Sequence, residues 1–321
     1  MQTPLDNPII DAAAQWGLDV RSIRKDIDIC GSPQRCEFRF VIECINDDLY
    51  MIESLIENEI NQKHAIISNL NDLAKRGLAG INPYIASKNH DYIVKNDKKF
   101  WQISRFISGV SLKRPEYVFD QWRGKIMANF LIDLRRKSEN MPGFDCRRPF
   151  SLINYIKTLT RQIKIFDPEL QNKIQPVIDF LQNNFIKAHD SLPVCFCHGD
   201  FHALNVIWSD SSINAVIDWE FSGIKPEIYD MANMIGCIGI ENPEALAGLL
   251  VINFISRLKN AAMISELGWA VLVEFIVALR FAWLSEWLRH KDHEMIELEM
   301  VYMKLLIDNA DDLKQIWKLQ F

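Results

Sequence analysis

The sequence predicts an α+β protein in which a small antiparallel sheet precedes a larger, mainly helical region. Strand-like runs separated by turn residues are concentrated in the first 105 residues, and apolar residues at helical spacing dominate the remainder. The chain has 321 residues. A single hydrophobic core rarely organises a chain of this length. We therefore expect two lobes, an N-terminal lobe over residues 1–105 and a C-terminal lobe over residues 106–321.

The N-terminal lobe is predicted to contain five strands and one helix. Asn-Asp-Asp separates the second and third strands, as is typical of a hairpin turn. The helix follows the third strand, from Glu57 to about Leu78, because apolar residues recur there at helical spacing. The strands are predicted at residues 27–30, 37–44, 49–55, 91–94 and 100–106.

The C-terminal lobe is predicted to be helical apart from one β-rich insertion at residues 194–219. The segment Ser104–Gly109 (SRFISG) connects the two lobes. The helices are predicted at residues 117–138, 151–166 and 170–189, with several more after Pro243.

The composition excludes several classes of function. The formal net charge is −6, so the chain lacks the overall basic character that nucleic-acid or anionic-membrane binding favours. The start of the chain does not resemble a signal peptide, and the longest apolar stretch is interrupted by Glu274 and Arg280. Seven scattered cysteines indicate reduced thiols. We expect a cytoplasmic protein with neither a nucleic-acid nor a membrane partner.

One segment of the insertion, CFCHGDFHALNVIW (Cys195–Trp208), permits two interpretations. Its two cysteines and two histidines could hold a metal ion. A structural zinc site normally uses two separated ligand pairs, however, and no second pair is evident in the sequence. We therefore interpret Cys195 and Cys197 as small apolar side chains that share one face of a strand.

A β-hairpin is predicted immediately after this loop. Residues 205–208 and 213–219 resemble strands, and Ser209–Ser212 (SDSS) is typical of a turn. A hairpin centred in that turn places Asn205 opposite Asp218, with their Cβ atoms about 4.5–5.5 Å apart.

These side chains predict a magnesium site. An amide oxygen and a carboxylate are hard ligands that suit Mg²⁺ when it is shared with phosphate groups. Asp200 precedes Asn205 by five residues, and its carboxylate could accept a hydroxyl proton or orient the attacking oxygen. This division of labour is the one used in phosphoryl transfer.

Three motifs carry a resemblance to one enzyme family. HGDFHALN (residues 198–205) is similar to an H-G-D-x-x-x-x-N loop, and VIDWEFSG (216–223) is similar to an I-D-[WF]-E element. PEIYDMAN (226–233) contains the aspartate expected downstream. The sequence thereby resembles the aminoglycoside phosphotransferase and choline kinase superfamily. The resemblance implies a two-lobed, protein-kinase-like fold, and it covers most of the chain.

The resemblance implies a role for each polar residue of these motifs. Asp200 would be the catalytic base, and Asn205 and Asp218 would hold Mg²⁺. His198 would be a structural member of the loop, and Asp230 would brace that loop. The nucleotide base is expected to bind the connector through Ser104, Phe106 and Ile107.

The chain departs from the family at the phosphate-binding cation. The third strand carries Glu53, in the sequence YMIE, where the family has lysine or arginine. A carboxylate there would repel the phosphates of ATP. We expect Arg39, on the preceding strand, to supply the missing charge, with Arg35 and Lys63 as alternatives.

We therefore expect a kinase that transfers the γ-phosphoryl group of ATP, or alternatively GTP, to a hydroxyl of a small metabolite or aminoglycoside-like acceptor. Trp283, Glu286 and Trp287 recur at helical spacing, and they would suit either a cationic or sugar acceptor or ordinary core packing. The alternative function, motivated by Glu53, is a nucleotide-binding regulatory protein of the same fold that is catalytically impaired. The sequence leaves the acceptor and the oligomeric state open.

Overall fold

The computed structural model describes residues 6–29, 36–141, 150–183 and 185–319, and it confirms the predicted α+β class. The chain divides into two compact units. The first contains Met1–Ser111 and Leu204–Phe221, and the second contains Leu112–Ala203 and Ser222–Phe321. The hairpin that carries Asn205 and Asp218 therefore belongs to the same unit as the N-terminal sheet. The predicted lobe boundary at residues 105 and 106 stays a prediction.

Among the described residues, five strands form the sheet of the first unit: β1 (Val20–Ile23), β2 (Phe38–Cys44), β3 (Leu49–Leu55), β4 (Val94–Asn96) and β5 (Lys99–Arg105). Their order is β1-β2-β3-β5-β4, and every neighbouring pair is antiparallel. β2 and β3 pair so that Arg39 lies opposite Glu53, and β3 pairs with β5 so that Glu53 lies opposite Gln102. Directly opposite residues on one face of a sheet are near neighbours, so the register brings these three side chains together.

The predicted first strand is wrong. Residues 27–29 are not in a strand, and the edge strand is β1, which pairs with Ile42 to Cys44 of β2. An ion pair between Arg24 and Asp26, 2.7 Å long, accompanies a turn that ends β1 before Ile27 is reached. The apolar residues that resembled a strand therefore follow the turn instead of forming the sheet edge. Cys30 lies outside the described residues.

A helix that the sequence analysis did not predict, α1 (Asp6–Ala14), packs on this sheet. Ile9, Ala12 and Ala13 share one helix face, and they are buried in one apolar cluster with Ile52 and Ile103. The predicted helix after the third strand is confirmed as a 3₁₀ turn at Glu57–Glu59 followed by α2 (Ile60–Lys75).

Helices make up most of the second unit, as predicted. The helix predicted at 117–138 begins at Gln121 because residues 116–119 form a 3₁₀ turn. The helix predicted at 170–189 is two helices, Pro168–Asn183 and Phe185–His189. No helix of the described ranges is both long and apolar enough to cross a membrane. The helices are α3 (Gln121–Ser138), α4 (Leu152–Phe166), α5 (Pro168–Asn183), α6 (Phe185–His189), α7 (Tyr229–Glu241), α8 (Leu249–Asn260), α9 (Glu266–Ala270), α10 (Leu272–His290), α11 (His293–Asp308) and α12 (Ala310–Ile316).

Two short antiparallel strand pairs carry the motifs. β6 (Val194–Cys197) pairs with β9 (Gly223–Pro226) in the second unit, and β7 (Val206–Trp208) pairs with β8 (Ile213–Val216) in the first. β9 was not predicted, since a run that begins with glycine and ends with proline has low strand propensity. β6 leads directly into the H-G-D loop, and β9 precedes α7.

Candidate active site

A buried carboxylate, that of Asp230, holds the backbone of the H-G-D loop in the second unit. The backbone N–H groups of His198 and Gly199 donate to the two carboxylate oxygens of Asp230, at 2.7 and 2.8 Å. Gly199 has a φ of +86°, which glycine adopts without a steric penalty. Asp230 lies in the first turn of α7, so the loop is tied to the start of that helix. The expected bracing role of Asp230 is confirmed.

Burial changes the acidity of Asp230. Asp230 is only 5% exposed. This burial raises the pKa of Asp230 to about 6. The N–H donors of Gly199 and His198 oppose the rise because they stabilise the carboxylate. Only the deprotonated group offers two charged oxygens to these donors, so the carboxylate form of Asp230 is the one that suits this pair of N–H groups.

Asp200 presents its carboxylate at the surface of this braced loop. Its backbone N–H donates to Nδ1 of His198 at 3.2 Å, and His198 is fully buried. The carboxylate oxygen Oδ1 lies 3.4 Å from Nδ2 of Asn233 and 3.6 Å from Nε2 of His202. Asp200 itself is partly exposed. A carboxylate with a fixed backbone, partial exposure and two polar neighbours is suited to accept a proton from a bound hydroxyl group.

Aromatic side chains lie beside this carboxylate in the same unit. The ring of His202 meets Trp283 edge-on at 6.2 Å between centroids, and Trp283 stacks on Trp287 at 6.0 Å. Both tryptophans are partly exposed. The carboxylate of Glu286 pairs instead with Arg289 at 2.5 Å. The structure therefore brings two of the three predicted acceptor residues near the Asp200 loop and gives Glu286 a different partner.

The cysteines of this segment occupy strand positions. Cys195 and Cys197 are free thiols, and their sulfur atoms lie 3.7 Å apart on one face of β6. Burial raises the pKa of the Cys197 thiol, which disfavours the thiolate that binds metals. Within the described part of the chain, no group of three or more His, Cys, Asp or Glu side chains is arranged to hold a metal ion. The positions agree with the apolar interpretation.

The β7–β8 hairpin forms, but its predicted register is wrong. Val206 pairs with Val216, and the N–H of Ile217 donates to the carbonyl oxygen of Asn205 at 2.9 Å. Asn205 therefore lies opposite Ile217 rather than Asp218. Asp218, the proposed metal ligand, follows Ile217 in the sequence and lies beyond the end of the strand pairing.

The turn explains this shift. The N–H of Ser209 donates to the carbonyl oxygen of Ser212 at 2.9 Å, so Trp208 lies opposite Ile213. Asn214 is then an extra residue in β8, since the next pair is formed by Ala215. The Asn214 amide donates to the carbonyl oxygen of Ser108 at 2.9 Å. A side chain that bonds outside the hairpin cannot be recognised from the strand pattern.

Asp218 adopts an unusual backbone conformation at the end of this hairpin. Its φ of +70° lies in the left-handed region, which costs a non-glycine residue roughly 1–2 kcal/mol. Asn205 is buried and Asp218 is partly exposed. The two residues supply one amide oxygen and one carboxylate, and this donor chemistry fits a divalent cation of the Mg²⁺ type that is shared with phosphates.

Glu53 is not an isolated negative charge. It is buried, with 4% exposure, and it accepts hydrogen bonds from Nε of Arg39 and from Nε2 of Gln102, each 2.7 Å long. The Nη1 and Nη2 atoms of Arg39 have no partner among the described residues, and its side chain is 17% exposed. The pair therefore fixes one edge of the guanidinium group and leaves the other edge available to an anion. Arg35, an alternative cation, lies outside the described residues.

Lys63, the other alternative cation, has a different partner. It projects from α2, is 3% exposed, and forms an ion pair with the carboxylate of Glu220. The neighbouring Gln62 donates from Nε2 to the backbone carbonyl oxygen of Glu220 at 2.7 Å. Two adjacent residues of α2 therefore hold one residue of the I-D-W-E element.

The connector, Ser104–Gly109, contains backbone N–H and carbonyl groups that could bind a ligand. The N–H of Phe106 donates to the carbonyl oxygen of Leu49 at 3.0 Å, and Ser104 lies in β5 between Met51 and Tyr84. In the described structure, the carbonyl of Phe106 and the N–H and carbonyl of Ile107 have no hydrogen-bond partner. A nucleotide base can form hydrogen bonds with backbone N–H and carbonyl groups, and these bonds do not require a particular side chain.

Comparison with known proteins identifies the family. The sequence profile of the phosphotransferase enzyme family matches residues 94–256, about half of the chain, and the chain belongs to this family. No curated protein sequence matches the chain.

Solved structures share the fold. An aminoglycoside phosphotransferase from Alicyclobacillus acidocaldarius has a TM-score of 0.68 at 13% identity, over 100% of this chain and 98% of that chain. Amicoumacin kinase, solved with AMP-PNP, Ca²⁺ and Ami, has a TM-score of 0.68 at 11% identity, over 95% and 93% of the two chains. Spectinomycin phosphotransferase, solved with ADP and spectinomycin, has a TM-score of 0.63 at 15% identity, over 96% and 98%.

The sequence analysis missed three polar residues of the candidate site. Gln102 follows no motif, and the pairing of β3 with β5 is what brings it to Glu53. Glu220 and Asn233 both stand inside the motifs that carry the family resemblance. Their contacts with Lys63 and Asp200 depend on tertiary structure, although their motif positions could have marked them as candidates.

Proposed function

We propose that the chain is a cytoplasmic small-molecule kinase that transfers the γ-phosphoryl group of ATP to a hydroxyl group of a small metabolite or aminoglycoside-like acceptor. GTP is the alternative donor. The observation that carries the proposal is the braced H-G-D loop, in which Asp230 holds the backbone while the Asp200 carboxylate is partly exposed. Membership of the phosphotransferase family supports the reaction class. The ADP and spectinomycin in one structural relative support a nucleotide donor and a small acceptor.

The proposed reaction uses Asp200 as the base. The acceptor oxygen forms a bond to the γ-phosphorus, the bond from that phosphorus to the bridging oxygen breaks, and ADP leaves with the electron pair. The hydroxyl proton passes to a carboxylate oxygen of Asp200. Asn233 and His202, at 3.4 and 3.6 Å from Oδ1, restrict the orientations of that carboxylate. The gain from such positioning is one of the largest contributions in phosphoryl transfer.

The nucleotide is proposed to bind residues of the first unit. Asn205 and Asp218 would hold Mg²⁺, which neutralises phosphate charge when it is bound. Arg39 would donate to a phosphate from the guanidinium edge that Glu53 leaves available. The base would bind the free backbone groups of Phe106 and Ile107, and the contribution of Ser104 stays a prediction.

Glu53 is the reason to consider the alternative, a catalytically impaired nucleotide-binding regulator. The ion pair with Arg39 weakens this hypothesis, because Arg39 neutralises the Glu53 carboxylate and Glu53 orients the Arg39 guanidinium group. The two hypotheses differ in one measurable property. A kinase consumes ATP in the presence of an acceptor, whereas the regulator binds nucleotide without turning it over.

The experiment is an ADP-release assay with Mg²⁺ and ATP against amino alcohols, sugars and aminoglycosides. We expect acceptor-dependent ADP release by the wild-type protein. Asp200→Asn should reduce the rate of transfer by at least about 100-fold, since general-base catalysis typically contributes 100- to 10,000-fold. Its affinity for ADP should stay within about twofold of the wild-type value, because the nucleotide does not contact Asp200 in this proposal.

The matched control is Asp210→Asn. Asp210 is exposed in the turn between β7 and β8, and this variant makes the same chemical change outside the proposed site. It should transfer phosphate at the wild-type rate. Full activity of Asp200→Asn would refute the assignment of the base. Intact ADP binding without turnover of any acceptor would favour the regulator.

A further inference from the structure

The polarity of the charged residues on β3 and α2 is reversed relative to protein kinases. In protein kinases, a lysine of the third strand pairs with a glutamate of the following helix. Here the strand carries Glu53 and the helix carries Lys63, and the two do not pair with each other. Glu53 pairs with Arg39, and Lys63 pairs with Glu220. The helix cation is therefore connected to the I-D-W-E element, rather than to the sheet.

Lys63 is a buried cation of the first unit. It is 3% exposed, on a helix face that otherwise buries Ile66, Ile67 and Leu70. A desolvated ammonium group is costly unless a carboxylate compensates it. Glu220, whose side chain is 14% exposed, provides that carboxylate. Burial restricts both partners to one geometry, which an exposed lysine–glutamate pair would not maintain.

The helix holds Glu220 at two points. Lys63 binds its carboxylate, and Gln62 donates to its backbone carbonyl oxygen at 2.7 Å. Because Gln62 and Lys63 are adjacent in α2, the side chain and the backbone of Glu220 are fixed to the same turn of helix. The backbone of this part of the loop is consequently set by α2.

The residue that benefits from this attachment is Asp218. It has a strained φ of +70°, and strained residues persist only where their surroundings fix them. On the N-terminal side, Ile217 donates to the carbonyl oxygen of Asn205 at 2.9 Å. On the C-terminal side, Glu220 is held by α2. The strained residue thus lies between two anchored points that are three residues apart in the sequence.

We propose that Lys63 and Glu220 are positioning residues that hold the Asp218 carboxylate in its metal-binding orientation. The inference rests on the proposed function, since it takes Asp218 as a ligand of the divalent cation. Loss of the pair would let the backbone of Asp218 relax toward unstrained conformations. Residues that orient metal ligands typically change metal affinity by about 10- to 100-fold when they are replaced.

The test measures metal binding rather than activity. Mn²⁺ binding in the presence of ADP is followed by electron paramagnetic resonance for the wild-type protein, Lys63→Met and Glu220→Gln. We expect the Mn²⁺ affinity of both variants to fall by about 10- to 100-fold. ADP affinity measured without metal should stay within about twofold of wild type. The charge-exchanged double variant, Lys63→Glu with Glu220→Lys, should bind Mn²⁺ more tightly than either single charge-reversal variant.

Two further variants make the outcomes distinguishable. Lys75→Met removes a lysine from the same helix, where its side chain is 75% exposed, and it should bind Mn²⁺ like the wild type. Gln62→Leu removes the hydrogen bond to the Glu220 carbonyl at an exposed position. It should fold even if Lys63→Met does not, and it should weaken Mn²⁺ binding by several-fold.

Asp218→Asn separates this inference from the proposed function. Wild-type Mn²⁺ affinity in Lys63→Met, Glu220→Gln and Gln62→Leu, with loss of binding in Asp218→Asn, overturns the positioning role and retains the metal site. Wild-type affinity in Asp218→Asn overturns the metal site itself. If Lys63→Met is unfolded, the result for Gln62→Leu decides the positioning role.

Discussion

Replacement of Arg39 by methionine should separate a stabilising role from a nucleotide-binding role. Arg39→Met leaves Glu53, which is 4% exposed, without its cation, and only the 2.7 Å hydrogen bond from Gln102 remains. Removing one partner of a buried ion pair costs about 3–5 kcal/mol. At roughly 2 °C per kcal/mol for a chain of this size, the melting temperature should fall by about 6–10 °C.

The double variant Arg39→Met with Glu53→Leu removes both charges. Apolar replacement of a buried ion pair is often neutral or stabilising, so most of the lost free energy of unfolding should return. The affinity for ADP should not return. A charge-assisted hydrogen bond contributes about 1.5–3 kcal/mol, and its loss should weaken ADP binding by about 10- to 100-fold in the single and double variants alike.

Urea unfolding and titration calorimetry with ADP measure the two quantities independently. A loss of less than about 1 kcal/mol in Arg39→Met would refute the account of the buried pair. Recovery of both stability and ADP affinity in the double variant would show that Arg39 stabilises the sheet without contacting the nucleotide.

Two other predictions concern the loop that carries Asp200. Because burial raises the pKa of Asp230 to about 6, and because the carboxylate form holds the loop, kcat should fall as the pH is lowered through about 6, and a pH–rate profile checks this. The stability effect has the opposite sign: the native state binds this proton more tightly than the unfolded chain, whose ordinary pKa is 3.8. This group alone should therefore lower the free energy of unfolding by about 2 kcal/mol between pH 4 and pH 7. In Asp230→Asn that contribution to the pH dependence of urea unfolding should disappear, and an unchanged slope would contradict the assignment. Gly199→Ala should cost about 1–2 kcal/mol in urea unfolding, because alanine is disfavoured at a φ of +86°, and it should lower kcat; wild-type kcat and stability would show that the left-handed turn is not required.

The sequence predicted the elements whose signals are local. β2 and β3 have a strand pattern with an Asn-Asp-Asp turn between them, and the structure places them at Phe38–Cys44 and Leu49–Leu55. α4 begins one residue after Ser151, whose side chain caps it by accepting from the N–H of Asn154. Such elements are determined by a few neighbouring residues, and one chain contains that information.

The errors arose where distant contacts decide the structure. The pairing of β7 with β8 includes an extra residue, Asn214, whose amide donates to the carbonyl of Ser108, 106 residues away in the sequence. β1 was misplaced because residues 27–29, with isoleucine at both ends, resemble a strand as strongly as Val20–Ile23 does. The difference is that only Val20–Ile23 pairs with β2.

The sequence identified most residues of the candidate site, but it did not predict all of the contacts between them. The H-G-D loop and its brace could be recognised because Asp230 occurs at a motif position. The neutralisation of Glu53 could not be recognised, since an arginine 14 residues earlier is opposite it only in the observed register. An unpaired carboxylate in the sequence was therefore interpreted as repulsive, whereas in the structure it orients a cation.

The most direct test of the proposed kinase is single-turnover transfer from γ-³²P-labelled ATP to an acceptor identified by the ADP-release assay. Wild type, Asp200→Asn and Asp210→Asn are compared at nucleotide concentrations that saturate each protein. The account predicts labelled acceptor with wild type and Asp210→Asn, and loss of at least about 100-fold in rate with Asp200→Asn. Equal rates for Asp200→Asn and wild type would contradict it.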